Sequence, residues 1–488
     1  VQYKLAEAFT VGDMYYESIM SSTAPNRVSW FSGTINPPKG SKVNGTNKHM
    51  GGPTLDNRDS VGCERTDSGK PFSCVPLRWK TVPEYLQEAG ISWRVYQDKD
   101  NFGDDPLVMW KQYQTSAKKK GDLAQRGTSF PGLQKFFDDA RDGKLPEVSY
   151  IVAPMQLSEH PPYMPMDGAW LQGEVAKAVM HGKNWDSTAL IYSYDETGGW
   201  ADHVVSPYPP QSEESEWIED PYDKSNGITP IGPGFRLPFY IVSPWTSGGH
   251  VFTEHAAHES QIMFLEQWAL AHGKPFTSEE IPTWRREQLS DLVKAFDFSS
   301  KDTSVPEVPH VRKPSQDIFT GHFNGADVCQ AIHLKKVQPD IPYKKLNPSN
   351  SMEVNKGFKR LRGDVTEGRR LTFEAHNRAL SHSGSKLKSS SSSKEHDQKD
   401  QLFVVHWQGV NPKDNRFRIA TTDQLYITKS LSLSKNEEKA ALFSLKDMGN
   451  GVGYSISELD SGKRLQLNED GSVALGGDTY FQIYSVTL

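Results

Sequence analysis

The sequence predicts an α/β fold, a largely parallel sheet flanked by helices, followed by a C-terminal all-β domain that is sandwich- or trefoil-like. Three observations predict it. Between residues 82 and 271, helical stretches alternate with short buried strands, the pattern of an α/β domain. From Arg369 onward, short strand-like runs separated by turn residues replace that alternation. Between them, residues 300 to 353 are rich in Pro and Lys and carry little periodicity, as an extended connection does. The boundaries that follow are 1–300 for the α/β domain, 301–353 for a linker and 354–488 for the β domain. A chain of 488 residues is in any case too long for one core.

The elements follow in order. Hydroxyl residues before a proline, Ser22-Thr23-Ala24-Pro25, signal a helix start, and Val28-Ser29-Trp30-Phe31 continues it. A hydroxyl there lies among free backbone N–H groups at the positive end of a helix dipole, which favours an anion. Residues 36–80 are rich in Gly, Pro, Asn and Asp and read as a long irregular insertion. A short helix runs from Val82 to Gly90, with Pro83 early and glycine at its end, and Ile91–Tyr96 reads as a strand. A helix follows over Leu133–Asp142, a strand over Val148–Val152, a helix over Leu171–Met180 and a strand over Ala189–Tyr194. The strand Pro238–Ser243 precedes a helix over Glu259–Ala271. In the last 120 residues, Leu371–Ala375, Leu402–Trp407, Arg416–Ala420, Gln424–Thr428, Gly453–Ser457 and Tyr480–Tyr484 read as strands, and Ser389–Asp400 as a polar, mobile loop.

Composition excludes some functions. The net charge of −6 gives no footing for nucleic acid, so none is expected as a partner. No window approaches the ~18 uninterrupted apolar residues that span a bilayer. Cys63 and Cys74 lie close enough in sequence to close a small disulfide, and Asn44-Gly45-Thr46 is a glycosylation sequon. Both lean toward a secreted or extracytoplasmic location, with cytoplasmic as the alternative.

The chemistry gathers around Ser193-Tyr194-Asp195-Glu196-Thr197-Gly198-Gly199-Trp200-Ala201-Asp202-His203. Adjacent carboxylates at a strand end repel unless something positive lies between them, and their hard oxygens suit a metal ion. In open α/β sheets, ligands bind beyond the strands' C-terminal ends. Val152 leads toward Glu159-His160, Tyr194 into Asp195-Glu196, and Ser243 toward His255 and His258. Three strands thus deliver metal- or phosphate-competent groups to one edge, the convergence expected of an active site.

Four segments occur together in order: Ser22-Thr23-Ala-Pro-Asn26-Arg27; Glu159-His160-Pro-Pro-Tyr163 with Gly168-Ala-Trp170; Tyr194-Asp195-Glu196-Thr-Gly-Gly-Trp-Ala-Asp202-His203; and Gly234-Phe-Arg-Leu-Pro-Phe-Tyr-Ile-Val-Ser243-Pro-Trp. Over residues 1–275 the chain resembles the phosphoesterase family of bacterial and fungal phospholipases C and related acid phosphatases, within the alkaline-phosphatase-like superfamily. The resemblance implies phosphoryl transfer through a covalent phosphothreonine at Thr23. It implies one divalent metal ion of unknown identity on Asp195 and Glu196, activating the hydroxyl. His160 and His258 would hold phosphate oxygens or protonate the leaving alcohol. Asn26, Arg27 and His203 would bind substrate, and Asp202 and His203 would steady the ligands.

The expected activity is that of a phospholipase C-type phosphodiesterase on a phospholipid or other phosphate ester, with contact to a peripheral membrane surface. An acid phosphatase on monoesters is the second expectation. A catalytically impaired binding protein, whose β domain engages lipid, glycan or protein, is the third. Relatives carry an upstream strand ending in a Glu-Asn pair, and no Glu-Asn dipeptide occurs here. The resemblance therefore implies a catalytic domain lacking its N-terminal part.

Overall fold

The computed structural model describes residues 1–37, 51–57, 61–65, 69, 71–99, 101–198, 202, 204–220, 223–334, 356–411 and 413–488. The sequon at Asn44 and the expected substrate ligand His203 lie outside the described residues.

Helix α1 (Gln2–Ala8) leads into strand β1 (Thr10–Gly12), and helix α2 (Thr23–Ser32) follows at the predicted hydroxyl-proline start. Helix α3 (Val82–Glu88) is capped by a box in which Thr81 and Glu84 satisfy each other's backbone N–H groups. Then come β2 (Trp93–Gln97), α4 (Leu133–Asp142) and β3 (Val148–Val152). Helix α5 (Pro165–Met180) starts six residues before its predicted position because Pro165 provides a ready first turn. Strands β4 (Leu190–Ser193), β5 (Phe239–Val242) and β6 (Val251–Phe252) precede α6 (His258–Ala271). The insertion contains a two-stranded hairpin, Gly62–Arg65 with Pro71–Val75, closed by a Cys63–Cys74 disulfide.

The sheet is mixed rather than largely parallel. β2 and β3 pair in parallel as a separate two-stranded unit. In the main sheet β1 and β6 are parallel, but β5 runs antiparallel to both its neighbours, β1 and β4. The C-terminal end of β5 therefore points away from the edge reached by β4. The predicted route from Ser243 to His258 is corrected accordingly: the chain turns back through the two-residue β6 and only then reaches α6. Hydropathy reports a strand's burial, not its direction, and a two-residue strand has no period to read.

The strand-rich C-terminal region has its own apolar core, including Leu371, Phe373, Phe403, Ile419, Phe443, Ile456 and Ile483. Its first strand, β7 (Gly357–Arg362), lies parallel to β6, with Val251 opposite Leu361 and Phe252 opposite Arg362. The backbone ladder therefore runs on from the α/β region into this one. Ser389, Ser390 and Ser391, expected in a mobile loop, belong instead to a hairpin strand, Lys386–Ser391, paired with Arg378–Ser383. Ser389 is buried, and the Arg378 guanidinium donates to it, which is how a polar run becomes a strand.

Polar contacts back up the ladder. Arg362 Nη1 donates to the carbonyls of Trp245 (2.9 Å) and Ala295 (2.8 Å). Arg369 is nearly buried and pairs with Asp13, just past β1, at 2.7 Å. Replacing Arg369 by Ala leaves the Asp13 carboxylate without that partner. Charge-assisted bonds of this kind contribute about 1.5–3 kcal/mol. We expect urea unfolding of Arg369→Ala to show a loss in that range, and an unchanged midpoint would show the contact to be energetically idle.

Candidate active site

Thr23 is the first residue of α2. Ser22 precedes it as N-cap and makes no side-chain capping bond; Pro25 has no N–H and Asn26 N bonds back to the Ser22 carbonyl, so the N–H groups this helix start can offer an anion are those of Thr23 and Ala24. Asn26 explains why the turn holds its shape. It is wholly buried: its Oδ1 accepts from Ile19 N, and its Nδ2 donates to the carbonyls of Ile19, Ser21 and Ser22. Asn26, expected to bind substrate, spends its side chain bracing the turn that presents Thr23.

Arg27 reaches from the same helix to the end of β4. Its Nε donates to Asp195 Oδ2 at 2.8 Å, and its Nη1 to the Asp104 carbonyl at 2.9 Å. The Asp104 carboxylate lies 3.6 Å from Nη2 and accepts from Asn57 Nδ2 at 2.7 Å. Asp104 and Asn57 were not singled out in the sequence. Asp104 follows β2, so the rule that strand ends carry function would have reached it had the loop after Gln97 been searched.

Burial alone would raise the pKa of Asp195, but the charge and hydrogen bond of Arg27 outweigh it and hold the carboxylate below its ordinary range. Glu196 goes the other way. Burial, then the neighbouring Asp195 charge, push it up to about 7, with the Thr23 hydroxyl pulling the other way. Among the described residues, Glu196 Oε2 is buried with no partner. The two adjacent carboxylates are thus driven apart in acidity, one firmly ionised and one poised near neutrality against a hydroxyl.

His160 lies across from this pair, its Nε2 3.8 Å from Glu196 Oε1, with an exposed ring whose Nδ1 faces the Pro161 carbonyl at 2.7 Å. Glu159 makes that exposure possible. It adopts a left-handed φ of 66° and turns its own carboxylate inward, accepting from Tyr194 OH at 2.6 Å and Gln172 Nε2 at 3.0 Å. Its side chain lies against Gly168 of α5, where a Cβ would come within 2.1 Å of Glu159 Cγ.

His258 is placed differently from expectation. It is buried, and both ring nitrogens are occupied by protein. Nε2 donates to the Asp195 carbonyl at 2.8 Å, and Nδ1 accepts from Tyr15 OH at 2.9 Å. A carbonyl can only accept, so Nε2 carries the proton. Burial lowers the pKa of the ring and keeps it neutral, which fits that tautomer. His258 therefore positions the Asp195 backbone, and Gln261 Nε2 supports it by donating to Tyr15 OH at 2.7 Å. Asp202 anchors the far side of the loop through a forked pair with Arg236.

Asp195 and Glu196 offer hard oxygens, and the orphaned Glu196 Oε2 is the kind of atom a divalent cation would satisfy. Among the described residues, no group of three or more His, Cys, Asp or Glu side chains converges on one point, so this pair is a partial ligand set.

A buried ion network fixes these elements to one another. Arg285, 2 % exposed, is forked to Glu216 and donates to Glu259 Oε1 at 2.8 Å. Glu259, next to His258, also accepts from Ser29 Oγ of α2 (2.6 Å) and Ser18 Oγ (2.7 Å). The helix carrying Thr23 and the helix carrying His258 thus share one carboxylate.

Together these features define a class: an α/β protein that brings a helix-terminal hydroxyl, an arginine and two adjacent carboxylates of opposed acidity to one sheet edge. The sequence profile of the Phosphoesterase family matches residues 1–270, and the chain belongs to that family. It is 34 % identical over 339 residues to a non-hemolytic phospholipase C of Burkholderia pseudomallei, covering 63 % of this chain and 45 % of that protein. It is 34 % identical over 370 residues to a non-hemolytic phospholipase C of Pseudomonas aeruginosa, covering 72 % and 48 %. It is 32 % identical over 326 residues to phospholipase C B of Mycobacterium tuberculosis, covering 64 % and 57 %. The chain spans about half the length of the curated relatives it matches.

Arg285→Met leaves two carboxylates buried without their cation. Breaking such a pair from one side costs about 3–5 kcal/mol. We expect a loss of that size in chemical unfolding, partly recovered when Glu216 is also replaced by Leu. Absence of recovery would show that packing, rather than charge, is what Arg285 supplies.

Proposed function

We propose that the chain is the catalytic body of a phosphoric ester hydrolase of the phospholipase C type, acting on a phosphodiester through a covalent phosphothreonine at Thr23. One observation carries this reading: the Thr23 hydroxyl stands at a helix N-terminus facing the adjacent carboxylates Asp195 and Glu196. That is a nucleophile beside its base and an anion site. The names of the relatives support the reaction class, and we take the α/β body to be alkaline-phosphatase-like. A phospholipid at a membrane surface is the proposed substrate. The Cys63–Cys74 disulfide supports an extracytoplasmic setting. Among the described residues, no helix is long and apolar enough to cross a membrane.

The steps follow from the placement of the side chains. Two phosphate oxygens accept from the leading N–H groups of α2, which aims phosphorus at Thr23 Oγ1. As Oγ1 attacks, its proton passes to Glu196 and the bond from phosphorus to the leaving alcohol breaks. The imidazolium of His160, on the open side, gives its proton to the departing oxygen. A phosphothreonine remains. Water then attacks phosphorus and gives its proton to the neutral His160, while Glu196 returns the first proton to Oγ1. Arg27 takes no proton; it holds Asp195 ionised and in register with Glu196. Asp195 and Glu196 would hold a divalent cation, which would supply charge neutralisation at the phosphate.

Thr23→Ala is expected to lower hydrolysis of a chromogenic phosphocholine diester by about 1,000-fold or more, with a thermal midpoint close to that of the parent. Acid quenching during turnover should leave phosphate on the peptide containing Thr23, seen by mass spectrometry. Retention of more than about a tenth of the parent rate, or label on another residue, would rule out Thr23. A faster rate on a simple phosphomonoester would shift the assignment to an acid phosphatase.

Cation binding is tested separately from turnover. Titration with manganese, followed by electron paramagnetic resonance, should show a bound ion in the parent chain. Glu196→Gln should weaken it about tenfold or more. Equal binding by parent and variant would remove Glu196 from the ligand set.

A further inference from the structure

We propose that the exposed apolar residues around the mouth of the site, Met20, Phe102, Met166, Ile318 and Phe319, form a surface that enters a phospholipid bilayer. The choice of a bilayer as occupant rests on the phosphodiesterase reading above, and the surface itself rests on geometry alone.

Each of these side chains stands on, or against, a segment that carries a group of the site. Met20 precedes Thr23 by three residues, and Phe102 precedes Asp104, the partner of Arg27, by two. Successive Cα atoms are about 3.8 Å apart, so Met20 lies within ~11 Å of Thr23 and Phe102 within ~8 Å of Asp104. Met20 and Phe102 are both exposed, Phe102 to 69 %. Met166 is exposed in the first turn of α5, which starts five residues after His160. Ile318 and Phe319, exposed to 87 % and 90 %, form the tip of a turn that rests on the same helix.

Hydrogen bonds hold these tips out. The Asp317 carboxylate accepts from Phe319 N at 2.9 Å and Thr320 N at 2.8 Å. Gly321 N donates to the Asp317 carbonyl at 2.8 Å, and Gln316 bridges to Phe323 across the turn. The base of the turn is pinned to α5. The Phe323 ring lies against Trp170, 5.7 Å between centroids, and Gly325 packs on Asp167, where a Cβ would come within 2.1 Å of Oδ2. Phe102 has a φ of 55°, a left-handed conformation that bulky residues seldom adopt. Buried Asn101 holds it there, accepting from Gly103 N at its side chain (3.1 Å) and from Asp104 N at its carbonyl (3.0 Å). The loops are tied down while their largest apolar side chains face water.

The arrangement identifies the occupant. Exposed apolar residues rimmed by polar ones mark a contact surface. A protein partner needs a continuous, close-packed patch, but these residues stand on separate tips with Asp317, Thr320 and His322 among them. A fluid surface admits isolated projecting side chains: the apolar tips sink to the acyl boundary and their polar neighbours stay among the headgroups. Charge does not oppose this. The whole chain carries −6, but over residues 308–334 Arg312 and Lys313 balance Asp317 and Asp327, and His310, His322 and His333 add imidazoles. Seating the tips sets the mouth at the headgroups, where a phospholipid carries its phosphate.

Vesicles of equal parts phosphatidylcholine and phosphatidylglycerol are the probe. In flotation the parent chain is expected to bind them, and the triple variant Phe102→Ser, Ile318→Ser, Phe319→Ser to bind about tenfold or more weakly. The triple variant should hydrolyse a soluble chromogenic phosphocholine diester within about twofold of the parent rate, and vesicle lipid about tenfold more slowly. Brominated phosphatidylcholine in the vesicles should quench Phe319→Trp more than it quenches the parent, and this arm decides the matter if the triple variant misfolds. A parent that ignores vesicles, equal binding by parent and triple variant, or no added quenching in Phe319→Trp would each overturn the proposal. So would a dimer of the parent in solution that the triple variant breaks, because the tips would then be a contact between two copies. Vesicle binding through these residues, in a chain that hydrolyses no phosphodiester, would overturn the enzymatic reading and leave this surface standing.

Discussion

A guanidinium buried between two carboxylates holds the active region together. Arg285 has no water to soften its charge, so Glu216 and Glu259 must stay ionised and in place. Glu259 then spends its remaining capacity on Ser18 and Ser29. The first lies at the start of the turn before Thr23, and the second lies within α2 itself. Because Glu259 follows His258 directly, the same carboxylate fixes where α6 begins, and therefore where the His258 ring meets the Asp195 carbonyl. One buried charge network thus sets the relation between the helix that begins at Thr23 and the strand end that faces it.

Outward from that centre, the site is a set of fixed relations with few free groups. Arg27 is claimed by Asp195 and Asp104, Asn26 by its own turn, and His258 by Tyr15 and Asp195. Among the described residues, what remains open toward a ligand is small: the N–H groups of Thr23 and Ala24, one oxygen of Glu196 and the exposed ring of His160. Preorganised polar groups do chemistry with little reorganisation, because their partners are already in place when charge develops.

Much of this was legible in the sequence, and the limits were physical. The helix at Ser22-Thr23-Ala24-Pro25 could be read because capping and proline chemistry are local. The strands at 148–152 and 189–194 could be read because their apolar runs are short and bounded. Pattern picked out Asp195 and Glu196 as adjacent acids at a strand end and brought His160 to the same edge, whereas the role of Thr23 came from family resemblance. Strand polarity could not be read, so Phe239–Val242 was taken as parallel when it runs the other way. Nor could pattern show whether a polar side chain faces a ligand or the protein, which is why Asn26 and His258 were expected to touch substrate. Asp104 lay within reach of the strand-end rule, but Arg285 acts through partners distant in the chain, and no local signal marks such a residue. The serine run at 389–391 has the composition of a loop and became a strand only through its hairpin partner and Arg378.

The shared ladder between β6 and β7 has a consequence for how the molecule meets its surroundings. Strands in one hydrogen-bonded sheet do not swivel about a joint, and Arg362 and Arg369 add bonds on both sides of the seam. The C-terminal strands and the mouth at Thr23 therefore keep a constant bearing to each other. Any flat surface that the C-terminal region grips dictates the angle at which that mouth looks onto it. Attachment and aim are a single rigid-body property of this chain, so changing the face that attaches would turn the mouth as well.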